Sequence, residues 1–381
     1  MNDDKSDQKM STKLDNVVGT FGDRPCGCKG IRTCLLCEKD LLIFQRNELV
    51  ENQQLAKTIV YTFCSQCGTK AWLNDDHRTH HLKTYDSHEG SSSSSPCQQK
   101  KSISSSILNP TIVTENDDAY EKLLPQFVPV KGITLISNVI NEDEEQLIVS
   151  LIDDPETPSP WVSSQSGRRK QDYGPKVNFR KQKVKLTGFH GLPDYGHKLF
   201  RKLSMVTEVL NDFIPVELCN LEYVPERGSS IDPHLDDDWL WGERLVTINL
   251  ISETRLTLSP VVRSQGKDDN HSQLDGDYNH RNVEIEIPLP CRSLLILYDE
   301  ARYKWYHAIK REHITSRRIG ITIRELTSLF LPKGQLYSSI GEEILSIASK
   351  QLSCKLSQSE QQLEEEEKTY IDNSNIKLLG R

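Results

Sequence analysis

The sequence predicts an α+β protein that is mainly β: a double-stranded β-helix (jelly-roll) with flanking helices and an N-terminal cysteine-rich segment. Three observations predict it. Between Glu217 and Ile323 lie seven short runs rich in β-branched and aliphatic residues, separated by turn residues. Helical patterns flank that region, at Asn141–Ile152 and Gly341–Ala348. Four cysteines crowd the dozen residues Cys26–Cys37, far upstream of the strands.

From the N-terminus, residues 1–22 are polar and acidic and read as a disordered tail. Residues 23–70 make the cysteine-rich segment. Residues 71–118 read as a disordered linker, because the serine runs at Ser91–Ser95 and from Ser102 offer too little apolar surface to offset the entropy of ordering. The linker histidines His77, His80, His81 and His88 read as solvated. The main domain is expected over residues 119–350. It opens with an alternating strand, Phe127–Ile136, and a helix started by the capping box Asn141–Glu144 and closed by Pro155. Strands follow at Glu217–Val224, Ile231–Leu235, Leu245–Ile251, Val283–Leu289, Ser293–Leu297, Trp305–Ile309 and Ile319–Ile323. Residues 254–282 are polar and are expected to be a disordered insertion interrupting the barrel. Residues 351–381, carrying Glu364–Glu367, read as an acidic flexible tail.

With 381 residues the chain has ample length for a buried core. Its 47 basic and 55 acidic side chains give a net charge of −8, so the molecule as a whole is not a polyanion binder, and any nucleic-acid contact must be local. The polar, acidic start lacks the basic and apolar regions of a signal peptide, and no apolar run is long enough to span a bilayer. The expectation is a cytoplasmic and nuclear protein with no membrane partner. In those compartments its 10 cysteines read as thiols or metal ligands rather than disulfides.

The chemistry concentrates in two places. His234-x-Asp236 ends one early strand and His307 lies on a late one. Two imidazoles and a carboxylate on one face of a metal leave three positions open, the arrangement of non-haem Fe(II) oxygenases. Arg318 and Arg324 lie six residues apart on a strand and point to the same face. A guanidinium turned into a barrel mouth needs a carboxylate, and its fork suits a dicarboxylate such as 2-oxoglutarate. The second place is the cysteine segment. Cys26, Cys28, Cys34, Cys37, Cys64 and Cys67 offer six thiols for the four positions of a zinc ion or an iron–sulfur cluster, which leaves the ligand set open.

His234-x-Asp236, His307 and Arg318-x5-Arg324 together resemble the AlkB family of Fe(II)- and 2-oxoglutarate-dependent dioxygenases. The longer blocks Cys26–Cys34, Ser166–Lys183 and Ile231–Val246 are similar to the fourth of its animal branches. The resemblance implies iron on His234, Asp236 and His307, the distal carboxylate of 2-oxoglutarate on Arg318, and Arg324 on the substrate side. Family members also touch the cosubstrate with an Asn-x-Tyr strand. Tyr223 and Asn220 stand there, with spacing one residue longer, and a single-residue slip reverses a side chain's face. The implied reaction consumes O2 and 2-oxoglutarate, yields succinate and CO2, and hydroxylates an N-methyl group that then leaves as formaldehyde.

For the substrate, the resemblance points to monomethyl-lysine on a protein such as actin, or to N6-methyladenine in DNA. The basic block Arg168, Arg169, Lys170, Lys176, Arg180, Lys181, Lys183 and Lys185, interleaved with Tyr173 and Phe179, suits phosphates and a stacked base. Asp238 and its neighbours, with Trp239 and Trp241, suit a methylated ammonium, and the net acidity favours the protein reading. Arg324, Asp238, Arg169 and Tyr173 are the expected substrate contacts. A scaffold that merely retains an oxygenase fold is the non-enzymatic alternative.

Overall fold

The computed structural model describes residues 26–28, 32–38, 58–73, 127–261 and 283–353. The expected tail 1–22, nearly all of the linker, and residues 262–282 and 354–381 lie outside the described residues. The first nine strands are β1 (Ile59–Cys64), β2 (Lys70–Leu73), β3 (Phe127–Pro129), β4 (Ile133–Ile136), β5 (Val162–Ser163), β6 (Arg169–Tyr173), β7 (Lys176–Asn178), β8 (Lys183–Lys185) and β9 (Leu192–Pro193). The remainder are β10 (Glu217–Tyr223), β11 (Ile231–His234), β12 (Trp241–Leu250), β13 (Thr254–Pro260), β14 (Val283–Leu289), β15 (Ser293–Leu297), β16 (Trp305–Ile309), β17 (Arg318–Leu326) and β18 (Gln351–Leu352).

Two seven-stranded sheets face each other. The major sheet runs β4-β15-β12-β17-β10-β6-β5 and the minor one β11-β16-β13-β14-β1-β2-β3. Alternation along each strand divides the apolar residues between two cores. One face of the major sheet, with Leu218, Val246, Ile248, Ile319, Ile321 and Ile323, packs under the helices Glu142–Asp153 and Asp194–Ser204. The other face, with Tyr223, Leu245, Leu295 and Leu297, meets Leu256, Leu258, Ile285 and Ile287 of the minor sheet. The expected jelly-roll is therefore a sandwich whose interior lies between the sheets and whose outer wall is helical.

Several boundaries differ from the sequence reading. The strand expected over Phe127–Ile136 is two strands in different sheets, because the chain crosses from minor to major sheet at Lys131–Gly132. Strands β1 and β2, drawn from the segment assigned to cysteine chemistry and the start of the linker, are built into the minor sheet. β1 pairs in parallel with β14, Ile59 opposite Val283. The insertion expected from Thr254 begins later, since Thr254–Pro260 is β13, paired with both β14 and β16. Leu256 and Leu258 alternate into the core there and hold it in the sheet. The helix Glu142–Asp153 carries the expected capping box, with Glu144 N donating to Asn141 Oδ1 at 2.8 Å and Asn141 N to Glu144 Oε2 at 2.7 Å. Among the described residues no helix is long and apolar enough to cross a membrane.

Candidate metal and cosubstrate centre

Strands β11 and β16 are antiparallel neighbours with His234 opposite His307, so two ligands far apart in the chain are brought together by one ladder. Their rings lie 4.2 Å apart. Asp236, just beyond β11, places Oδ1 3.5 Å from His234 Nε2 and 3.8 Å from His307 Nε2. All three ligand atoms fall within 4.8 Å of one another. Donors each about 2.1 Å from one ion sit about 3–4 Å apart, so this cluster fits a single metal after small adjustments.

The surroundings fix which atoms are offered. His234 Nδ1 lies 2.9 Å from the Asp232 carbonyl, which can only accept, so Nδ1 carries the proton and Nε2 presents its lone pair. Burial and the neighbouring His234 ring push His307 down to about 3, leaving it neutral as a metal ligand must be. Burial alone would raise the Asp236 carboxyl, but the Arg324 charge and the His234 contact hold it well below the usual carboxylate range. Arg324 Nε donates to Asp236 Oδ2 at 2.6 Å while its Nη1 donates to Glu217 Oε2, which leaves Asp236 Oδ1 to face a metal.

Sequence reasoning missed Arg302. It is 1% exposed, and its Nη1 and Nη2 donate to the Asp236 and Asp237 carbonyls at 3.0 Å each. A buried guanidinium spent on main-chain oxygens locks the turn that carries the carboxylate ligand. In Asp299–Tyr303 it resembles any solvated helical arginine, so no local signal could have found it.

Arg318 is 3% exposed at the opposite end of β17 from Arg324. Its Nε donates to Asn249 Oδ1 at 2.6 Å, and its guanidinium lies 4.8 Å from the Tyr223 ring centre. Gly320 makes room, since a Cβ there would come within 3.0 Å of the guanidinium. Burial lowers the Arg318 pKa, and among the described residues no carboxylate pairs with it. A buried guanidinium flanked by Asn249 and Tyr223, with no salt bridge to a carboxylate among the described residues, fits the distal carboxylate of 2-oxoglutarate.

Register decides the remaining residues. Tyr223 stands opposite Arg318 and Glu217 opposite Arg324, so β10 turns Tyr223, Leu221, Cys219 and Glu217 to the metal side. Asn220 does not reach the cosubstrate: it is fully buried on the helical face, donating to Gln171 Oε1 at 2.8 Å and the Tyr195 hydroxyl at 2.7 Å. The extra residue in the Asn-to-Tyr spacing reverses it, and Leu221 occupies the place two before Tyr223.

Two expected substrate contacts are corrected for the same reason. Arg169 pairs across from Glu222 and is held by it at 2.6 and 2.7 Å on the helical face. Tyr173 pairs with Leu218, is buried in the helical core and bonds Thr157 at 2.9 Å. Strand β6 instead turns Lys170 and Asp172 to the metal side, opposite Leu221 and Cys219. Asp238 is exposed on the turn beyond Asp236, on the side of Tyr303. The basic block divides: Arg168 is buried with its guanidinium 5.9 Å from Tyr223, whereas Lys176, Arg180, Lys181, Lys183 and Lys185 are exposed on the β7–β8 hairpin. Phe179 at its tip meets Trp241 edge-on at 6.5 Å, beside Arg324.

Of the six candidate thiols, Cys26, Cys28, Cys34 and Cys37 converge within 4.8 Å of one another. Cys64 and Cys67 stand outside that group, flanking the turn from β1 to β2. Main-chain N–H groups point at the cluster: Cys34 N lies 3.2 Å from Cys37 Sγ and Ser166 N lies 3.1 Å from Cys28 Sγ. Such donors stabilise thiolates, and four of them at this spacing fit a tetrahedral ion.

No protein-family model matches the chain. It is 40% identical over 336 residues to "Alpha-ketoglutarate-dependent dioxygenase alkB homolog 4" of Mus musculus, a match covering 85% of this chain and 93% of that protein. The Homo sapiens protein of that name is also 40% identical, over 337 residues, with the same two coverages of 85% and 93%. "DNA N6-methyl adenine demethylase" of Caenorhabditis elegans is 36% identical over 328 residues, covering 86% of this chain and 95% of that one.

Proposed function

The chain belongs to the AlkB family of α-ketoglutarate (2-oxoglutarate)-dependent dioxygenases, and from that premise we propose that it oxidatively removes the methyl group of monomethyl-lysine on a protein substrate. Iron(II), held by His234 Nε2, His307 Nε2 and Asp236 Oδ1, would supply the activation of O2 that couples decarboxylation of 2-oxoglutarate to hydroxylation of an N-methyl carbon. The protein's own part is positional. Arg324 and Arg302 fix the Asp236 carboxylate and its turn, and the Asp232 carbonyl sets the His234 tautomer. Arg318, braced by Asn249 and stacked on Tyr223, takes the distal carboxylate of the cosubstrate.

The lysine reading is carried by Asp172. It faces the metal side from the edge of the sheet and already holds an ammonium, that of Lys170, in a partly exposed pair. A methyl-lysine ammonium is the same chemical group, and exchanging it for Lys170 costs little at such a site. An actin-like protein is the partner carried over from the family resemblance. The second reading, N6-methyladenine in DNA, is favoured by the exposed lysines of the β7–β8 hairpin, by Phe179 at the mouth, and by the name of the worm relative. Either substrate is met in the cytoplasm and nucleus.

The test is formaldehyde release coupled to succinate, measured with a monomethyl-lysine peptide and with an N6-methyladenine oligonucleotide, in native protein and Asp172→Asn. Peptide turnover lost in the variant is expected. Turnover of the oligonucleotide alone, falling steeply with salt, would replace the lysine reading with the DNA one.

A further inference from the structure

The four converging thiols are not an isolated appendage. The loop Ser164–Arg168 lies directly against them: Ser166 N bonds Cys28 Sγ at 3.1 Å, and a Cβ on Gly27 would sit 2.6 Å from the Ser164 carbonyl oxygen. That loop ends in Arg168, whose guanidinium lies over Tyr223, the ring on which Arg318 also stacks. From the same cysteine segment Glu38 grips Arg311 through two bonds of 2.9 and 2.7 Å, two residues beyond the end of β16. Arg32 reaches Asp232 at 3.2 Å, on β11. Asp232 is the residue whose carbonyl holds His234 Nδ1. With Arg32 Nη1 also donating to Gln165 Oε1 at 2.5 Å, ties run from one small knuckle to the cosubstrate wall and to both histidine strands.

We propose that a tetrahedral divalent ion of the zinc class, held by Cys26, Cys28, Cys34 and Cys37, clamps the Ser164–Arg168 loop and the β11–β16 ladder together, so that iron and 2-oxoglutarate binding in the barrel depends on that distant ion. The inference rests on the dioxygenase reading for its second half. The knuckle has little apolar content of its own, and its buried core is Cys28, Cys34 and Cys37. Without an ion to draw the four sulfurs together, nothing holds the 26–38 segment in the shape that presents Glu38 and Arg32, and folding of this piece is coupled to metal. The Glu38–Arg311 pair carries most of the coupling to the ligand strands, because it is bidentate and Glu38 is largely shielded, whereas Arg32–Asp232 is half exposed and contributes less.

The experiment uses the full chain. Elemental analysis gives the metal content of native protein, of Cys34→Ser, and of Glu38→Gln, which keeps all four thiols. An anaerobic absorbance titration of each with Fe(II) and 2-oxoglutarate gives the apparent Kd. Hydrogen exchange of the metal-depleted full chain, with and without added Zn2+, follows the amides of residues 164–168 and of Ile231, Asp232 and His234. We expect one non-iron metal per native chain, its loss in Cys34→Ser with a Kd raised about tenfold or more, and its retention in Glu38→Gln with a Kd raised severalfold. Unchanged Kd in metal-depleted protein of native secondary structure would overturn the proposal, as would a native chain that neither holds nor takes up Zn2+. If native protein forms no iron–cosubstrate chelate, the dioxygenase reading fails by itself. The exchange arm still decides the clamp: slowed exchange at both segments on adding Zn2+ supports it, and no change overturns it.

Discussion

Replacing Glu222 by Gln removes the charge at the centre of a cluster of three arginines. Arg169 donates to it at 2.6 and 2.7 Å, Arg227 at 2.6 Å and Arg317 at 2.9 Å, on the helical face of β10 next to Tyr223. Burial opposes ionisation there, but the three guanidiniums together lower Glu222 from 4.5 to about 2. At about 1.4 kcal/mol for each tenfold change, that depression corresponds to about 3 kcal/mol. Glu222 itself is shielded, but Arg169 and Arg317 are 39% and 34% exposed, so solvent screening trims the figure to about 2–3 kcal/mol. The midpoint of thermal unfolding should fall by about 5–10 °C at pH 7. Because the folded carboxyl is depressed, its contribution is complete above 4.5 and fades as pH falls from 4.5 towards 2. Urea unfolding of native and Glu222→Gln protein at pH 7, 5 and 3 measures this. The gap should be nearly equal at the first two and shrink to about two-fifths at the third. A gap below about 1 kcal/mol at pH 7, or one that persists undiminished at pH 3, refutes the reasoning.

Arg318→Ala should weaken 2-oxoglutarate binding by roughly thirtyfold or more, the equivalent of about 2 kcal/mol, with the visible chelate band of the Fe(II) complex as readout. An undiminished band would remove Arg318 from the cosubstrate site. Asp236→Ala should abolish succinate formation while circular dichroism remains native, and a variant turning over at the native rate would end the metal-ligand assignment. Arg302→Met should cost about 2–4 kcal/mol of stability and about tenfold in Fe(II) affinity, seen by urea unfolding and by iron titration, since it frees the carbonyls of Asp236 and Asp237. Lys181→Ser with Lys183→Ser should weaken oligonucleotide binding and flatten its salt dependence without changing peptide turnover, and an equal loss on both would place the hairpin in general folding instead.

The strands around the site were legible because their alternation is strong and their apolar residues are β-branched or aliphatic. The triad was legible because its three residue types carry chemistry that few other patterns need. What the sequence withheld was pairing. Arg169 and Tyr173 are expected substrate contacts on sequence, yet the ladder of β10 with β6 turns them to the helices, whereas the reversal of Asn220 follows from its one-residue-longer spacing to Tyr223. Lys170, next to Arg169, and Asp172, next to Tyr173, face the side of the metal triad. β13 is hard to see in the sequence because its alternating leucines border a long polar stretch, and β1 because it ends in a cysteine of a C-x-x-C spacing. The cysteine ligand set was ambiguous because spacing alone cannot say which pair lies near which, and the structure separates Cys64 and Cys67 by placing them on a sheet turn.

The parallel pairing of β1 with β14 has a consequence for how this chain matures. Ile59 meets Val283 about 220 residues downstream, so the minor sheet closes only once β14 has left the ribosome. Without β1, the outer edge of β14, the strand of Ile285 and Ile287, has no partner. A catalytic fragment cut to begin near residue 127 would keep that edge permanently bare and should precipitate through it, however intact its histidines and arginines remain.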